Sequence, residues 1–495
     1  MQRLQVVFLL GVGATLVATA GASAAPDHAK RGEAYLEYLS DCHKAHVCNG
    51  VYLVARNGEA VFEGAVGDSG DEQATALKVT DRFDIGSISK QFTAVAVLKL
   101  VAEGRLSLSD KVTTHFPTFP YDGVTIQDIL SHTSGIPEVL PYYSSQLRRT
   151  PDGAPITGSD VISVLAQGNL PAESSRGTRY SYSNTGYIVL AALVEHVADQ
   201  PFDVYLEQSF FKRLGMKSTF LRTPDNADFS TSRAWGFQPA PDGSRRVVDQ
   251  LPRLFLRGAG GIYSTASDLL KWQNALNDGR VIPRRLYKLA TTPARLLNGE
   301  EVPYGLGFSL KPDAVGMRRI SHAGHWRAFK SDLSYFPDSR VTVIQLTNNS
   351  EDDSVDTNVS ALAKIALGRE VSPIMAPIGW DLVEKLDSED IALVKSWFEQ
   401  EMSAIPRRYS IEESDLNSIG YAYLNQRSTD KAETVFSLTA LAFPRSANAL
   451  DSLADAQEAR GDIHAAHASI VAALAIEPNS EGLKKRAAVL RSRLP

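Results

Sequence analysis

Cysteine is nearly absent: the 495 residues contain two, Cys42 and Cys48, both inside Asp41-Cys-His-Lys-Ala-His-Val-Cys48. A disulfide-rich double barrel is thereby excluded. In an oxidising compartment two cysteines this close read as a short-loop disulfide. The neighbouring His43 and His46 leave a metal cluster conceivable, but four ligands in so short a stretch need a tight turn around the ion, and nothing downstream completes the site. An excess of one charge is also missing. Fifty-one Lys and Arg against 57 Asp and Glu leave −6, which gives no reason to expect nucleic acid or an anionic membrane surface as a partner. Long apolar runs are missing too, apart from the first twenty residues, so no later segment is predicted to span a bilayer.

That first segment has the pattern of an export leader. Arg3 is the positive start, Leu4 to Ala20 the apolar stretch, and Ala22-Ser23-Ala24 the A-x-A site, with cleavage expected before Ala25. An uncleaved anchor is the rival, but the stretch is short, rich in Gly and Ala, and lacks a charged stop. No cysteine follows it to carry a lipid. The expectation is a protein exported to a bacterial periplasm or secreted, without a membrane span after cleavage.

Length suggests more than one domain. Arg31 to Ser40 has the pattern of a short amphipathic helix. Val51 to Ala55 and Ala60 to Ala65 alternate as two strands joined at Asn57-Gly58, a strong two-residue hairpin signal. Helical patterns follow near Thr125 to Leu130, Tyr187 to Val197, Ala266 to Leu276 and Val355 to Leu367, and Val341 to Leu346 is a β-branched buried strand. Strands at both ends around a helical middle indicate one mixed α/β (α+β) domain whose sheet gathers the two chain ends. After Gly368 the character changes. Pro373, Pro377 and Gly379 mark a linker, and Trp380 to Met402 is expected to supply a packing helix. Beyond it Leu416, Ile419, Ala432, Phe436 and Pro444 recur 34 residues later as Leu450, Leu453, Ala466, Ile470 and Pro478. That period, with a small residue at each crossing and a closing proline, is the tetratricopeptide pattern of stacked helix pairs. The predicted layout is a leader over 1–24, a catalytic-type domain over 25–370, linker and helix over 371–410, and helical repeats over 411–495.

The pattern S-x-x-K is a weak signal by itself and recurs along the chain. Ser428-Thr-Asp-Lys431 lies in the polar turn between two repeat helices, where no pocket is expected. Ser87-Ile-Ser-Lys90 follows a strand-like segment and Gly86 and opens the apolar run from Phe92 to Val101, which marks a helix buried in the domain centre. A serine at such a helix start gains from the aligned backbone dipoles, and Lys90 lies one turn on, on the same face. Burial lowers a lysine's pKa and makes it a base near neutral pH. Read alone, the motif is better explained as a capping serine and a solvated lysine. Tyr182-Ser-Asn184 and His322-Ala-Gly324 follow in order.

Serine, lysine, Y-x-N and H-x-G in this sequence resemble the signature of the penicillin-recognising serine enzymes, the class C β-lactamase and D-alanyl-D-alanine carboxypeptidase family that also holds esterases and D-aminopeptidases. The likeness extends over roughly residues 30 to 370, through FDIGSISKQFTA from Phe83, ILSHTSGI from Ile129, YSYSNTGY from Tyr180, Leu214-Gly-Met216, GAGGIYSTASD from Gly258 and Tyr304-Gly-Leu-Gly-Phe308. It implies a transpeptidase-like domain with a central antiparallel sheet flanked by helices. It implies Ser87 as acylated nucleophile, Lys90 as its activator, and Tyr182 as proton relay to the leaving group and the deacylating water. Asn184 would hold the substrate's amide carbonyl, and the backbone N–H groups of Ser87 and His325 would form the oxyanion hole. No metal or other cofactor is implied. The substrate is a peptidoglycan-type peptide, an ester or a β-lactam.

Two departures bear on specificity. Many members carry lysine where this chain has His322; a histidine is largely neutral near pH 7, so a β-lactam carboxylate is expected to be held less firmly. After Gly324 the family keeps small residues, whereas His325, Trp326, Arg327 and Ala328 should narrow the cleft. Arg327 either restores the missing cation or is a solvated surface group. Three patterns are discounted. Gly67-Asp-Ser-Gly70, similar to the nucleophile loop of trypsin-like proteases, sits in a polar loop. Tyr423-Leu-Asn425 falls on a packing position. His132 is expected to be a turn or buried hydrogen-bonding residue. The alternative to an enzyme is a binding or sensing scaffold whose repeats dock a protein partner.

Overall fold

The computed structural model describes residues 4–10, 14–20, 26–141, 156–167, 170–227, 232–239, 244–255, 257–350 and 355–494. The cleavage site at 22–24 lies outside them. Two compact units emerge, one built mainly from 48–238 and 246–372 with the N-terminal segment, the other mainly from Pro373–Pro495.

In the first unit an antiparallel sheet runs in the order Glu59–Val66, Gly50–Arg56, Val341–Thr347, Phe329–Phe336, Ile320–Trp326, with Val54 opposite Val343 and Gly324 opposite Ser331. Gly50–Arg56 from the early part of this domain and Val341–Thr347 from its late part therefore pair inside the sheet, as the strand pattern predicts. Leu4–Leu10 and Ala14–Ala20, the segments read as leader, run as two further strands outside Glu59–Val66. Asn57 and Gly58 both take positive φ, 52° and 83°, the requirement of a two-residue hairpin turn.

Alternation splits the sheet into two buried faces. Val51, Leu53, Ile344 and Leu346 join the core around the helix Ser89–Ala102, which is buried on nearly all sides because it is apolar on nearly all sides. Asn184–Ala198 and Ala266–Asp278 complete this layer. On the other face Tyr35 of the helix Pro26–Lys44 stacks on Phe62, and Tyr38 donates to Asn358 of the helix Val355–Ala366 at 2.7 Å. The N-terminal helix is longer than the amphipathic patch from Arg31 to Ser40. Cys42 and Cys48 form a disulfide, with Cα atoms 5.3 Å apart, and the ring of His43 lies 3.1 Å from the Cys48 carbonyl oxygen; sulfurs joined to each other are not thiolate ligands.

The second unit is helical. Where one helix was expected between Trp380 and Met402 there are two, Ile378–Ser388 and Ile391–Ser403, because Asp390 accepts a bond from the Ala392 amide and starts a new helix. Both helices share a core with Glu413–Asn425 and Thr429–Ala442. Ala447–Arg460, Ile463–Ile476 and Glu481–Ser492 follow, each packed on its predecessor. Of the periodic positions, Leu416, Ile419, Ala432, Phe436, Leu453, Ala466 and Ile470 are buried. Among the described residues no helix is long and apolar enough to cross a membrane.

Candidate active site

The nucleophile turn is built from two sides. Phe83–Asp84 pairs with Ile262–Ser264, and a 3₁₀ turn over Gly86–Ile88 then leads into the helix Ser89–Ala102. Ser87 thus sits at the entry to a buried helix. Asp84 closes the turn by accepting the Gly86 amide at 2.8 Å; its carboxyl is buried, and loss of hydration raises its pKa to about 6. Gly86 has φ +51°, and a Cβ there would lie 2.8 Å from the His325 amide nitrogen. A Cβ on Gly324 would lie 2.1 Å from the Ile85 carbonyl. Glycine at both positions lets the strand Ile320–Trp326 close against the nucleophile turn, and Ser331 Oγ fixes the approach by donating to the Ile85 carbonyl at 2.8 Å. Ser87 and the His325 amide are in this way drawn together.

Lys90 is fully buried. Its Nζ stands 3.0 Å from Ser87 Oγ, 2.8 Å from Asn184 Oδ1 and 2.9 Å from the Ala259 carbonyl. All three partners are neutral. Burial therefore dominates, with Glu138 opposing it from longer range, and the amine's pKa falls to about 7. Tyr182 borders the cleft, 4.9 Å from Lys90 Nζ to ring centroid. Its phenol interacts with the Ser87 hydroxyl, and burial pushes its pKa above the usual tyrosine value, so it stays an O–H. Asn184 opens the helix Asn184–Ala198, whose start is held by Ser183, accepting the Gly186 amide, and by Glu138, accepting the Asn184 amide at 2.7 Å.

His322 reaches the same cleft, but as a satisfied neutral ring. Nδ1 lies 2.7 Å from the Ala323 carbonyl and so carries the proton, which leaves Nε2 to accept from the Tyr304 hydroxyl at 2.9 Å. Burial and the nearby Lys90 lower its pKa to about 3. Ser87, Tyr182, Asn184, His322, Gly324 and His325 all line one cleft of about 560 Å³, with Lys90 beneath them.

Arg327 does not. It occupies the turn after Trp326 with φ 57°, and its Nε donates to the Asp249 carbonyl, so it is not the replacement cation. Arg222 is on the cleft wall instead, buried, donating to the carbonyls of Leu254 and Pro252 and lying over Phe255. Trp326 does line the cleft, anchored through Nε1 to Gln250. Sequence reasoning assigned no role to Tyr304, Glu138 or Arg222. Only Tyr304 carried a signal, within the Tyr304-Gly-Leu-Gly-Phe308 segment. The decoys Ser428, Lys431 and Tyr423 belong to the helical unit.

Comparison with known proteins agrees with this geometry. A penicillin-binding protein of Bacillus subtilis (strain 168) is 29% identical over 332 residues, covering 64% of this chain and 72% of that protein. A D-aminopeptidase of Brucella anthropi is 26% identical over 363 residues, covering 70% and 65%. Among solved structures, the penicillin binding protein from Bacillus halodurans superposes with a TM-score of 0.56 at 25% identity, covering 66% of this chain and 99% of that one. The D-amino acid amidase from Ochrobactrum anthropi SV3 shares the fold, with a TM-score of 0.56 at 24% identity over 68% and 98%. The model of the Beta-lactamase family matches residues 36–367, well over half of the chain and the whole stretch that builds the cleft, so the chain belongs to the Beta-lactamase family and is a serine hydrolase of that fold.

Proposed function

We propose that the chain is an exported hydrolase that cleaves an amide or ester through an acyl-enzyme on Ser87, and that peptides containing D-amino acids, such as peptidoglycan stems, are its substrate class. The observation that carries this reading is the Lys90 amine, 3.0 Å from Ser87 Oγ and brought down to about 7 by burial among neutral acceptors. An unprotonated amine so placed takes the Ser87 proton as Oγ bonds to the scissile carbonyl carbon. The charge that develops on the carbonyl oxygen is met by the Ser87 and His325 amides. Tyr182 then hands its phenolic proton to the departing nitrogen or oxygen as its bond to carbon breaks, and it is reprotonated by the Lys90 ammonium, so that both groups are neutral for the second half. In the second half water loses a proton along the same path and displaces Ser87 from the acyl group, and the serine regains its hydrogen. Because Asn184 Oδ1 is held by Lys90, its amide N–H faces the substrate carbonyl.

The substrate class is supported by the names of the relatives, penicillin-binding protein and D-aminopeptidase. A neutral His322 where many relatives hold lysine favours substrates that need no carboxylate anchor there, and makes strong β-lactam turnover secondary. Export rests on the leader pattern of residues 1–24, and a protein partner at the C-terminal helices on their 34-residue period. The test is mass spectrometry after incubation with a fluorophosphonate and with a fluorescent penicillin, followed by a hydrolysis screen of a D-Ala-D-Ala peptide, p-nitrophenyl esters and a cephalosporin. An adduct on Ser87 is expected from at least one probe and none from S87A. Folded protein that neither probe labels removes the proposal.

A further inference from the structure

His132 carries no role in the acyl-transfer scheme, yet three of its contacts converge on Tyr182. Its carbonyl accepts the Ser181 amide at 2.8 Å, and its ring Nδ1 accepts the Ser183 amide at 3.1 Å. The peptide N–H groups of the residues on either side of Tyr182 thus end on one residue. Its ring lies against the Tyr182 ring, with centroids 4.2 Å apart and planes tilted by 35°. Tyr187 and Tyr304 close on it at 5.0 and 4.8 Å, and its side chain is buried. Acceptance at Nδ1 fixes the proton on Nε2. Burial and the neighbouring Lys90 and His322 hold the ring's pKa well below its ordinary value, so it remains a neutral acceptor throughout the working pH range. The backbone of His132 is left-handed, φ 59°, which is what turns both its carbonyl and its ring toward the same segment.

We propose that His132 is a positioning residue that clamps the backbone on both sides of Tyr182 and backs its ring, so that the phenol stays aimed at Ser87. The proposal rests on the reading of Tyr182 as proton relay. A shift of a reacting group by about 1 Å can cost on the order of 10²-fold in rate, so the clamp should be read in kcat.

Asn and Gln separate the clamp from general packing. The Asn amide oxygen occupies the place of Nδ1 and tolerates positive φ; the Gln oxygen falls nearer Nε2 and leaves the Ser183 amide without its acceptor. With the best substrate of the hydrolysis screen, H132Q is expected to lose about 10²-fold in kcat with KM within about threefold of wild type, and H132N to recover at least about tenfold of that loss. Melting temperatures recorded beside the kinetics separate this pattern from simple destabilisation, which lowers the melting point without ordering the two variants in kcat. If H132Q does not fold, H132F, which keeps a ring and removes the acceptor, takes its place with the same expectation. Equal kcat in H132N and H132Q, a variant lacking the acceptor with kcat within threefold of wild type, or a loss confined to KM overturns the proposal. Y182F distinguishes the two levels: activity retained in Y182F defeats the relay reading itself, whereas an inactive Y182F beside fully active His132 variants defeats only the clamp.

Discussion

The S-x-x-K at Ser87 and the S-x-x-K at Ser428 differ in everything except spelling. At Ser87-Ile-Ser-Lys90 the lysine is sealed in the first unit, and its amine rests on a hydroxyl, a side-chain amide and a peptide carbonyl. At Ser428-Thr-Asp-Lys431 the lysine is a third exposed and its amine lies 2.6 Å from Asp387 Oδ1, while Ser428 stands before the first turn of Thr429–Ala442. A lysine in water beside a carboxylate keeps its proton. One stripped of water and given only neutral partners gives it up near pH 7. The base at Ser87 is therefore made by the missing carboxylate as much as by the present amine.

The hardest way to break this contrast is to remove the amine. K90M is expected to lower turnover by at least about 10³-fold, and its stability difference from wild type should depend on pH. Lys90 holds its proton less tightly when folded, from 10.5 down to about 7, so between those values the unfolded chain binds more protons and stability rises with pH; below the window both states are protonated and the burial cost stays in full. Denaturant melts should show wild type gaining roughly 3 kcal/mol on K90M between pH 7 and 10. A pH-independent difference would mean that the buried amine is not the titrating group.

A milder change converts the first environment toward the second. N184D puts a carboxylate where Nζ now meets an amide oxygen, 2.8 Å away. An opposite charge at that distance stabilises the ammonium and raises its pKa. In wild type, activity should climb with pH through about 7 as Lys90 loses its proton. In N184D the climb should begin at least about one unit higher, leaving about tenfold less activity at pH 7 and a partial recovery at pH 9. A rate reduced equally at all pH values would assign the loss to the missing amide donor alone.

What the sequence made legible follows the same division between local and assembled features. The Asn57-Gly58 hairpin, the short helix Ile126–Leu130 and the buried helix after Ser87 are fixed by neighbours in the chain. The identity of Ser87, Lys90, Tyr182, Asn184 and His322 as cleft residues came from motif spelling. What their charges do was not spelled. His322 is neutral and satisfied because Tyr304 folds onto it, Glu138 acts through the start of Asn184–Ala198, and Arg222 reaches the cleft wall from just beyond the short strand Phe220–Leu221. Arg327 is an exposed surface group, one of the two alternatives open to it, for a local reason. Trp326 pairs directly with Phe329, leaving Arg327 and Ala328 as a two-residue turn with none of the Gly, Asn or Asp that normally announces one. The break at Asp390 was announced by a good capping residue and overlooked inside a long helical pattern.

The smallest expected effect tests the other half of the comparison. K431A removes an amine that spans Asp387 Oδ1 and the face of Tyr423, 5.4 Å from its ring centroid. A partly exposed pair of this kind contributes at most about 1 kcal/mol, because both ions are well hydrated when apart and a flexible lysine gives up rotamer freedom to hold the contact. The denaturation midpoint of the helical unit should move slightly downward, and hydrolysis by the Ser87 centre should not change at any pH. A turnover change in K431A matching that of K90M would show that the motif's spelling, and not its surroundings, carries the chemistry, and the contrast drawn between the two lysines would fall with it.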